Sequence, residues 1–221
     1  MYKILNLIKN QLFDLISPPF CVNCKKFISQ RTPFCIDCLS QVKIVASVKL
    51  RVTENYAINV FAVSDYQYPF KSLVLAKQSS NYLASTQLAE LIWDMSNIKN
   101  IKFDYLTPIP LHWSRYIKRG YNQSEAMALT LSGKSGKPVA DILNRTKKTE
   151  YQFFLKQQQR LNNLKGAFEL KPDIDLNRYT GSHIMLVDDL LTSGATLSTA
   201  AKEIIKLKPL AISAVVGCRV T

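Results

Sequence analysis

His183-Ile-Met-Leu-Val-Asp188-Asp189-Leu-Leu-Thr192-Ser193-Gly194-Ala195-Thr196-Leu197 is the stretch on which the fold turns. Residues 183–187 form a short apolar run, the pattern of a buried strand. The run ends in two adjacent carboxylates, and a turn of small, hydroxyl-bearing residues follows. Apolar positions from Leu197 to Leu207 then predict a helix. A helix start offers unpaired N–H groups and a positive dipole end to an anion. Thr192, Ser193 and Thr196 add hydroxyl donors, and Gly194 lets the backbone come close to a phosphate. Asp188 and Asp189 can accept hydrogen bonds from a vicinal diol, and a divalent metal is compatible with this acidic edge. A phosphate held a few bonds from a diol describes a ribose 5-phosphate. Ordinary capping by one Asp and by Ser and Thr is the alternative. Two adjacent acids followed by T-S-G-A-T exceed what capping requires.

Elements of the same kind extend upstream and downstream. Residues 56–63 (YAINVFAV) read as a strand. Residues 70–95 read as a helix with Leu73, Leu75, Leu83, Leu88, Leu91 and Ile92 on its core side. Residues 103–109 (FDYLTPI) read as a strand that stops at Pro110. A helix is predicted from Asn122 to Leu131 and is broken between Gly133 and Pro138. Residues 139–143 and 211–216 read as strands. The polar, basic stretch 145–166 shows no apolar period and reads as a long loop. Alternating strands and helices after residue 55 imply an α/β fold with a parallel sheet, which puts the acidic pair at the carboxyl edge where such folds place ligands. Ahead of these, Leu5, Ile8, Leu12, Leu15 and Ile16 fall at helical spacing, and Ser17-Pro18-Pro19 ends that helix. This helix packs on its own protein or docks on a partner or membrane surface.

The chain has 221 residues, 47% of them hydrophobic, with seven glycines and nine prolines. That excludes wholesale disorder and fibrous repeats and fits one ordinary domain plus a small module. No apolar run reaches the roughly 18 residues of a membrane span, and no small-residue cleavage site follows the N-terminal apolar stretch. The expected compartment is the cytoplasm. The net charge is +13. Residues 102–166 hold 12 basic and 4 acidic side chains, while residues 167–221 hold six of each. A basic excess of this kind suits a polyanion such as nucleic acid, or is a solvated lysine-rich face.

Cys21-Val-Asn-Cys24 and Cys35-Ile-Asp-Cys38 make C-x2-C-x10-C-x2-C. Two such knuckles can place four thiolates around one tetrahedral Zn²⁺, a closed and therefore structural site. Disulfides are the alternative, disfavoured without a secretion signal. Cys218 reads as a buried apolar residue on a strand. His183 begins a strand and reads as structural. His112 lies beside the loop after Pro110, where a ligand contact is open to it.

VDDLLTSGAT (187–196) resembles the phosphoribosyl-pyrophosphate (PRPP) loop of type I phosphoribosyltransferases. The rest of the chain resembles the ComF family of competence-type proteins. Thr107-Pro-Ile-Pro-Leu111 with Arg119-Gly-Tyr-Asn-Gln123 is similar to its P-V-P-L and R-G-F-N-Q signatures. Arg145…Thr149-x-x-Gln152-x-x-Leu155…Arg160-x-x-Asn163-x-x-Gly166-Ala-Phe168 is similar to its middle signature, and the cysteine quartet to its zinc module. After Lys77 the chain departs from the family pattern with Gln78-Ser79-Ser80, so only Lys77 carries over there.

The resemblance implies a type I phosphoribosyltransferase-like twisted parallel sheet flanked by helices over residues 54–221. A helix and a small four-cysteine zinc module would occupy residues 1–53. It implies that Asp188 and Asp189 hold ribose hydroxyls, that Thr192, Ser193, Gly194, Ala195 and Thr196 hold the 5-phosphate, and that Mg²⁺ accompanies PRPP. Arg115, Arg119, Gly120, Asn122 and Gln123 become candidates on the pyrophosphate side, with Asn122 and Gln123 equally suited to capping a helix. Arg145, Lys147, Lys148, Lys156 and Arg160 would lie in a hood over the site, gripping pyrophosphate or a nucleic-acid backbone. Trp113, Tyr116, Tyr121, Tyr151, Phe153 and Phe154 are interleaved with these basic residues, as stacking platforms or as core. The family role implied is DNA uptake in natural transformation, with single-stranded DNA and other uptake proteins as partners. Transfer of phosphoribose to a small base or amine, and non-catalytic PRPP sensing, are the competing readings. No general base is assigned, because loss of pyrophosphate needs electrostatics and positioning above all.

Overall fold

A computed structural model describes residues 19–29, 32–76, 81–147 and 166–220. The helix expected at 3–16, Lys77, and most of the loop expected at 145–166 lie outside the described residues. A main sheet takes the strand order β1-β2-β8-β6-β3. Its strands are β1 (Val48–Arg51), β2 (Ala57–Asp65), β3 (Tyr105–Pro108), β6 (His183–Val187) and β8 (Ala211–Arg219). β1 pairs antiparallel with β2, and β2, β8, β6 and β3 are mutually parallel. The two-residue β7 (Leu190–Leu191) adds to β8. β4 (Leu143–Arg145) and β5 (Phe168–Leu170) form a separate antiparallel hairpin. The expected parallel α/β architecture is present.

The alternation along the central strands explains the layering. Ile184 and Leu186 of β6 face one core, and Met185 and Val187 face the other; all four are fully buried. The first core is closed by α6 (Ala195–Ile204) and the β4–β5 hairpin. The second is closed by α2 (Phe70–Ala76), α3 (Tyr82–Met95) and α5 (Gln123–Ser135). α3 crosses so closely that a Cβ on Gly217 of β8 would lie 2.7 Å from Leu88 Cδ1. Burial on both faces is what makes β6 and β8 near-continuous apolar runs.

Several expectations need correction. The single helix expected over 70–95 is two. Asn81 Oδ1 accepts the Ala84 N–H and starts α3 afresh. α5 runs through Gly133 and ends at Gly136, whose φ of 70° makes it the left-handed cap. The strand expected at 139–143 is only a bridge at Val139 before β4 begins at Leu143. β1, β5, β7 and the helix α4 (Trp113–Arg119) were not anticipated.

The cysteine segment, with the short helix α1 (Ile36–Leu39), packs on α2. Phe34 lies against the Phe70 ring at 5.7 Å, and Ser72 Oγ donates to Asn23 Oδ1 at 2.8 Å. Cys21, Ile28, Phe34 and Cys38 join the second core. Among the described residues no helix is long and apolar enough to cross a membrane.

Candidate ligand site at the carboxyl edge of the sheet

The end of β6 is pinned by its neighbour β8. Asp188 N donates to Val215 O at 3.1 Å, and Asp189 O accepts Gly217 N at 3.1 Å. Asp189 N donates to Asp188 Oδ1 at 2.9 Å. Both carboxylates are half-buried at the sheet edge. The following turn leads into α6, whose N-cap Gly194 has φ 75° and no side-chain cap. A Cβ here would lie 2.3 Å from Leu50 Cδ1. Gly194 thus meets two demands, a left-handed backbone and contact with β1. Ser193 Oγ is buried without a hydrogen-bond partner among the described residues. A buried orphan hydroxyl is costly, and a phosphate at the α6 N-terminus would satisfy it.

The segment after β3 forms the neighbouring wall. His112 is buried and caps α4, its Nδ1 accepting Ser114 N–H at 3.3 Å. Gly120 N donates to Tyr116 O, closing α4 with a left-handed φ of 79°. Arg119 Nη1 donates to Gln123 Oε1 at 2.6 Å. Asn122, buried, caps α5 through Oδ1 and donates from Nδ2 to Ile109 O at 3.1 Å. Ser124, also buried, donates from Oγ to Asp188 Oδ1 at 3.1 Å. Sequence reading missed Ser124, because the serine follows the R-G-x-N-Q pattern without any local sign of its long-range partner.

The β4–β5 hairpin brings Arg145 to the same neighbourhood. Burial pulls the Arg145 guanidinium down to about 10; Arg115 adds to the fall and Asp188 opposes it. Arg115, Arg145 and Asp188 therefore share one electrostatic environment. Arg145 also stacks over Phe168 at 5.3 Å. A cavity of about 500 Å³ opens between α4 and the hairpin, walled by Trp113, Tyr116 and Ile117 on one side and by Arg145, Glu169 and Lys171 on the other. Trp113 is 68% exposed and Tyr116 48%. Tyr121 instead packs edge-on against Tyr82 at 5.5 Å. Lys147 is exposed beside Gly166. Lys148, Lys156, Arg160, Tyr151, Phe153 and Phe154 lie outside the described residues. His183 is held by Asp104 through its backbone and by Ser213 through Nε2, away from any ligand role.

The cysteines meet at a second place. All four Sγ atoms lie within 4.8 Å of one another, and Cys24 and Cys35 are 3.6 Å apart. A tetrahedral ion with sulfur at about 2.3 Å sets sulfurs about 3.8 Å apart, so the donor set fits a metal. None of the five cysteines is in a disulfide. Burial works against a charge on Cys21, but the N–H groups of Cys24, Cys35 and Asn23 outweigh it and pull the thiol down to about 6. The Asn23 amide favours the Cys38 thiolate, but burial and the neighbouring sulfurs outweigh it and push Cys38 up to about 12. Four such sulfurs can ionise together only around a cation. Cys218 is fully buried.

No family model matches the chain. Curated relatives include competence protein F of Haemophilus influenzae, 28% identical over 86% of this chain and 80% of the relative. The DNA utilization protein YhgH of Escherichia coli is 31% identical over 52% of this chain and 49% of its own length. Competence protein ComFC of Bacillus subtilis is 37% identical over 44% of this chain and 36% of its own. The match thus spans most of the first relative and half or less of the other two. Among solved structures, an adenine phosphoribosyltransferase from Thermoanaerobacter pseudethanolicus reaches TM-score 0.38 at 12% identity, covering 81% of this chain and 98% of that one. The AQ2163 protein of Aquifex aeolicus reaches 0.42 at 12% identity, covering 70% and 86%. Likeness that loose gives no residue-level correspondence.

Proposed function

We propose, for a chain homologous to competence protein F, ComFC and YhgH as its ComF-type motifs led us to expect, that the sheet-edge site binds PRPP or a related ribose phosphate and that the protein handles incoming single-stranded DNA in the cytoplasm during DNA uptake. The observation that carries the ligand reading is the buried Ser193 hydroxyl at the start of α6, which has no partner among the described residues and lies next to the Asp188–Asp189 pair. Phosphate on the 192–196 turn would leave the ribose hydroxyls facing the two carboxylates. Mg²⁺ is the cation expected with the diphosphate at that acidic edge. Arg115 and Arg145 supply the positive charge a pyrophosphate group requires.

The DNA reading draws support from the other wall. Exposed Trp113 and Tyr116 flank the cavity beside Arg145, the combination of stacking face and cation that single strands use. The cysteine quartet holds a structural Zn²⁺ in this reading, with Cys21, Cys24, Cys35 and Cys38 as its ligands, and carries no chemistry. Other DNA-uptake proteins are the expected protein partners.

Calorimetry with PRPP and Mg²⁺, with and without single-stranded DNA, tests this. Binding that is lost on replacing Asp188 and Asp189 together by alanine is the expected result; unchanged heat in that variant rejects the site. Release of pyrophosphate on adding an acceptor would make the protein a transferase. Affinity for single strands should fall steeply with salt, and a salt-independent signal rejects a backbone contact.

A further inference from the structure

Asn122-Gln123-Ser124 joins two parts of the site that lie far apart in the chain. Asn122 Nδ2 donates to Ile109 O at 3.1 Å and so fastens the loop that leaves β3. Its Oδ1 accepts the Ser124 N–H at 3.1 Å, which fixes the start of α5. Ser124 Oγ then donates to Asp188 Oδ1 at 3.1 Å. That same carboxylate oxygen accepts the Asp189 N–H at 2.9 Å. One oxygen of Asp188 is engaged twice by the protein itself. These two bonds hold the carboxylate in one rotamer at the sheet edge.

Capping α5 accounts for Asn122 Oδ1 alone. It does not account for Asn122 Nδ2 or Ser124 Oγ, which reach away from the helix to β3 and β6. Asn122 and Ser124 are 8% and 5% exposed, so water competes little for these bonds. A hydroxyl bonded to a carboxylate is charge-assisted and strong for its size.

We infer that the first turn of α5 is a positioning bracket with two separate outputs. Ser124 orients Asp188 toward the ribose hydroxyls, and Asn122 holds the 109–112 loop that leads into α4 and Arg115, one of the charges assigned to the diphosphate. The inference rests on the ribose-phosphate reading above. Neither side chain touches the ligand; each acts through the group it holds. The two halves of the ligand are therefore sensitive to different residues of one turn.

Three probes separate those outputs: PRPP, ribose 5-phosphate and inorganic pyrophosphate, each titrated with Mg²⁺ into the full chain. Ser124→Ala is expected to weaken ribose 5-phosphate and PRPP about ten-fold, the weight of one charge-assisted hydrogen bond, and to leave pyrophosphate unchanged. Asn122→Ser keeps a capping oxygen but loses the amide donor. It is expected to weaken pyrophosphate and PRPP by a similar factor and to spare ribose 5-phosphate. Ser124→Thr, which keeps the hydroxyl, restores binding. Where Ser124→Ala proves unstable, Ser124→Cys, near-isosteric with a weak donor, gives the same selective pattern at smaller size. Equal losses on all three probes, or no loss, overturn the bracket and leave a helix cap. Failure of the unmodified protein to bind ribose 5-phosphate and PRPP overturns the ligand reading and the bracket with it.

Discussion

Ser124 and Asp188 are 64 residues apart in the chain and 3.1 Å apart in space, the serine hydroxyl donating to the carboxylate. This bond ties the R-G-Y-N-Q-S segment to the acidic end of β6. Two stretches that stand out separately in the sequence therefore meet at one place in the fold.

Gly194→Ala should strain the 192–196 turn twice, by its φ of 75° and by contact with Leu50. We expect a loss of about 1–2 kcal/mol in stability, measured by denaturant unfolding. Adding Leu50→Ala opens the space but not the backbone angle. The double variant should lose less than the sum of the single losses; strict additivity would show that the Leu50 contact does not matter.

The cysteine quartet should carry about one Zn²⁺ per chain in protein purified without chelator. Chelation or Cys24→Ser should cost more than about 4 kcal/mol. Because Phe34 and Asn23 lock onto α2, hydrogen exchange in Phe70–Ala76 should speed up with metal loss. Protection of α2 that is unchanged after chelation would mean the module is energetically separate.

Arg145 is half-buried, and desolvation works against its charge. Arg145→Met should therefore raise the unfolding temperature of the ligand-free protein by a few degrees, about 1 kcal/mol. The same change should weaken binding of PRPP and pyrophosphate. A variant that loses stability and keeps affinity would place Arg145 in the packing alone.

His183 offers a pH test. Burial lowers its pKa in the fold, with the Lys102 backbone and Asp104 opposing, so the folded protein holds the ring neutral where the unfolded chain protonates it. Its contribution to stability is complete above the unfolded value near 6.5 and falls as pH drops through and below it. Unfolding followed between pH 7 and 5 should show a shallower decline in His183→Gln than in the parent protein. Identical slopes would assign the pH dependence to other groups.

What could be read in advance divides by range. β6, its two acids and the hydroxyl turn were legible because apolar run, carboxylates and turn are contiguous. The cysteine cluster was legible from spacing alone. The break at Asn81 was missed because apolar positions resume at Leu83 after the polar run 77–81, and the cap formed by the Asn81 side chain does not show in the periodicity. Gly133 and Gly136 look alike in sequence, and only the second takes a positive φ. α4 was obscured because Trp113, Tyr116 and Ile117 turn their apolar face to a cavity rather than a core. Ser124 was invisible because nothing local requires a hydroxyl there.

β8 stands between β2 and β6 in the sheet, yet it is the last of the eight described strands along the chain. Until it arrives, β2 and β6 have no partner between them, and Asp188 and Asp189 lack the backbone bonds to Val215 and Gly217 that hold them. Assembly of the sheet is therefore closed by a late, long-range insertion, a topology that folds slowly and exposes apolar strand edges during the wait. On the ribosome the acidic end of β6 would therefore take its final shape only after β8 has been synthesised.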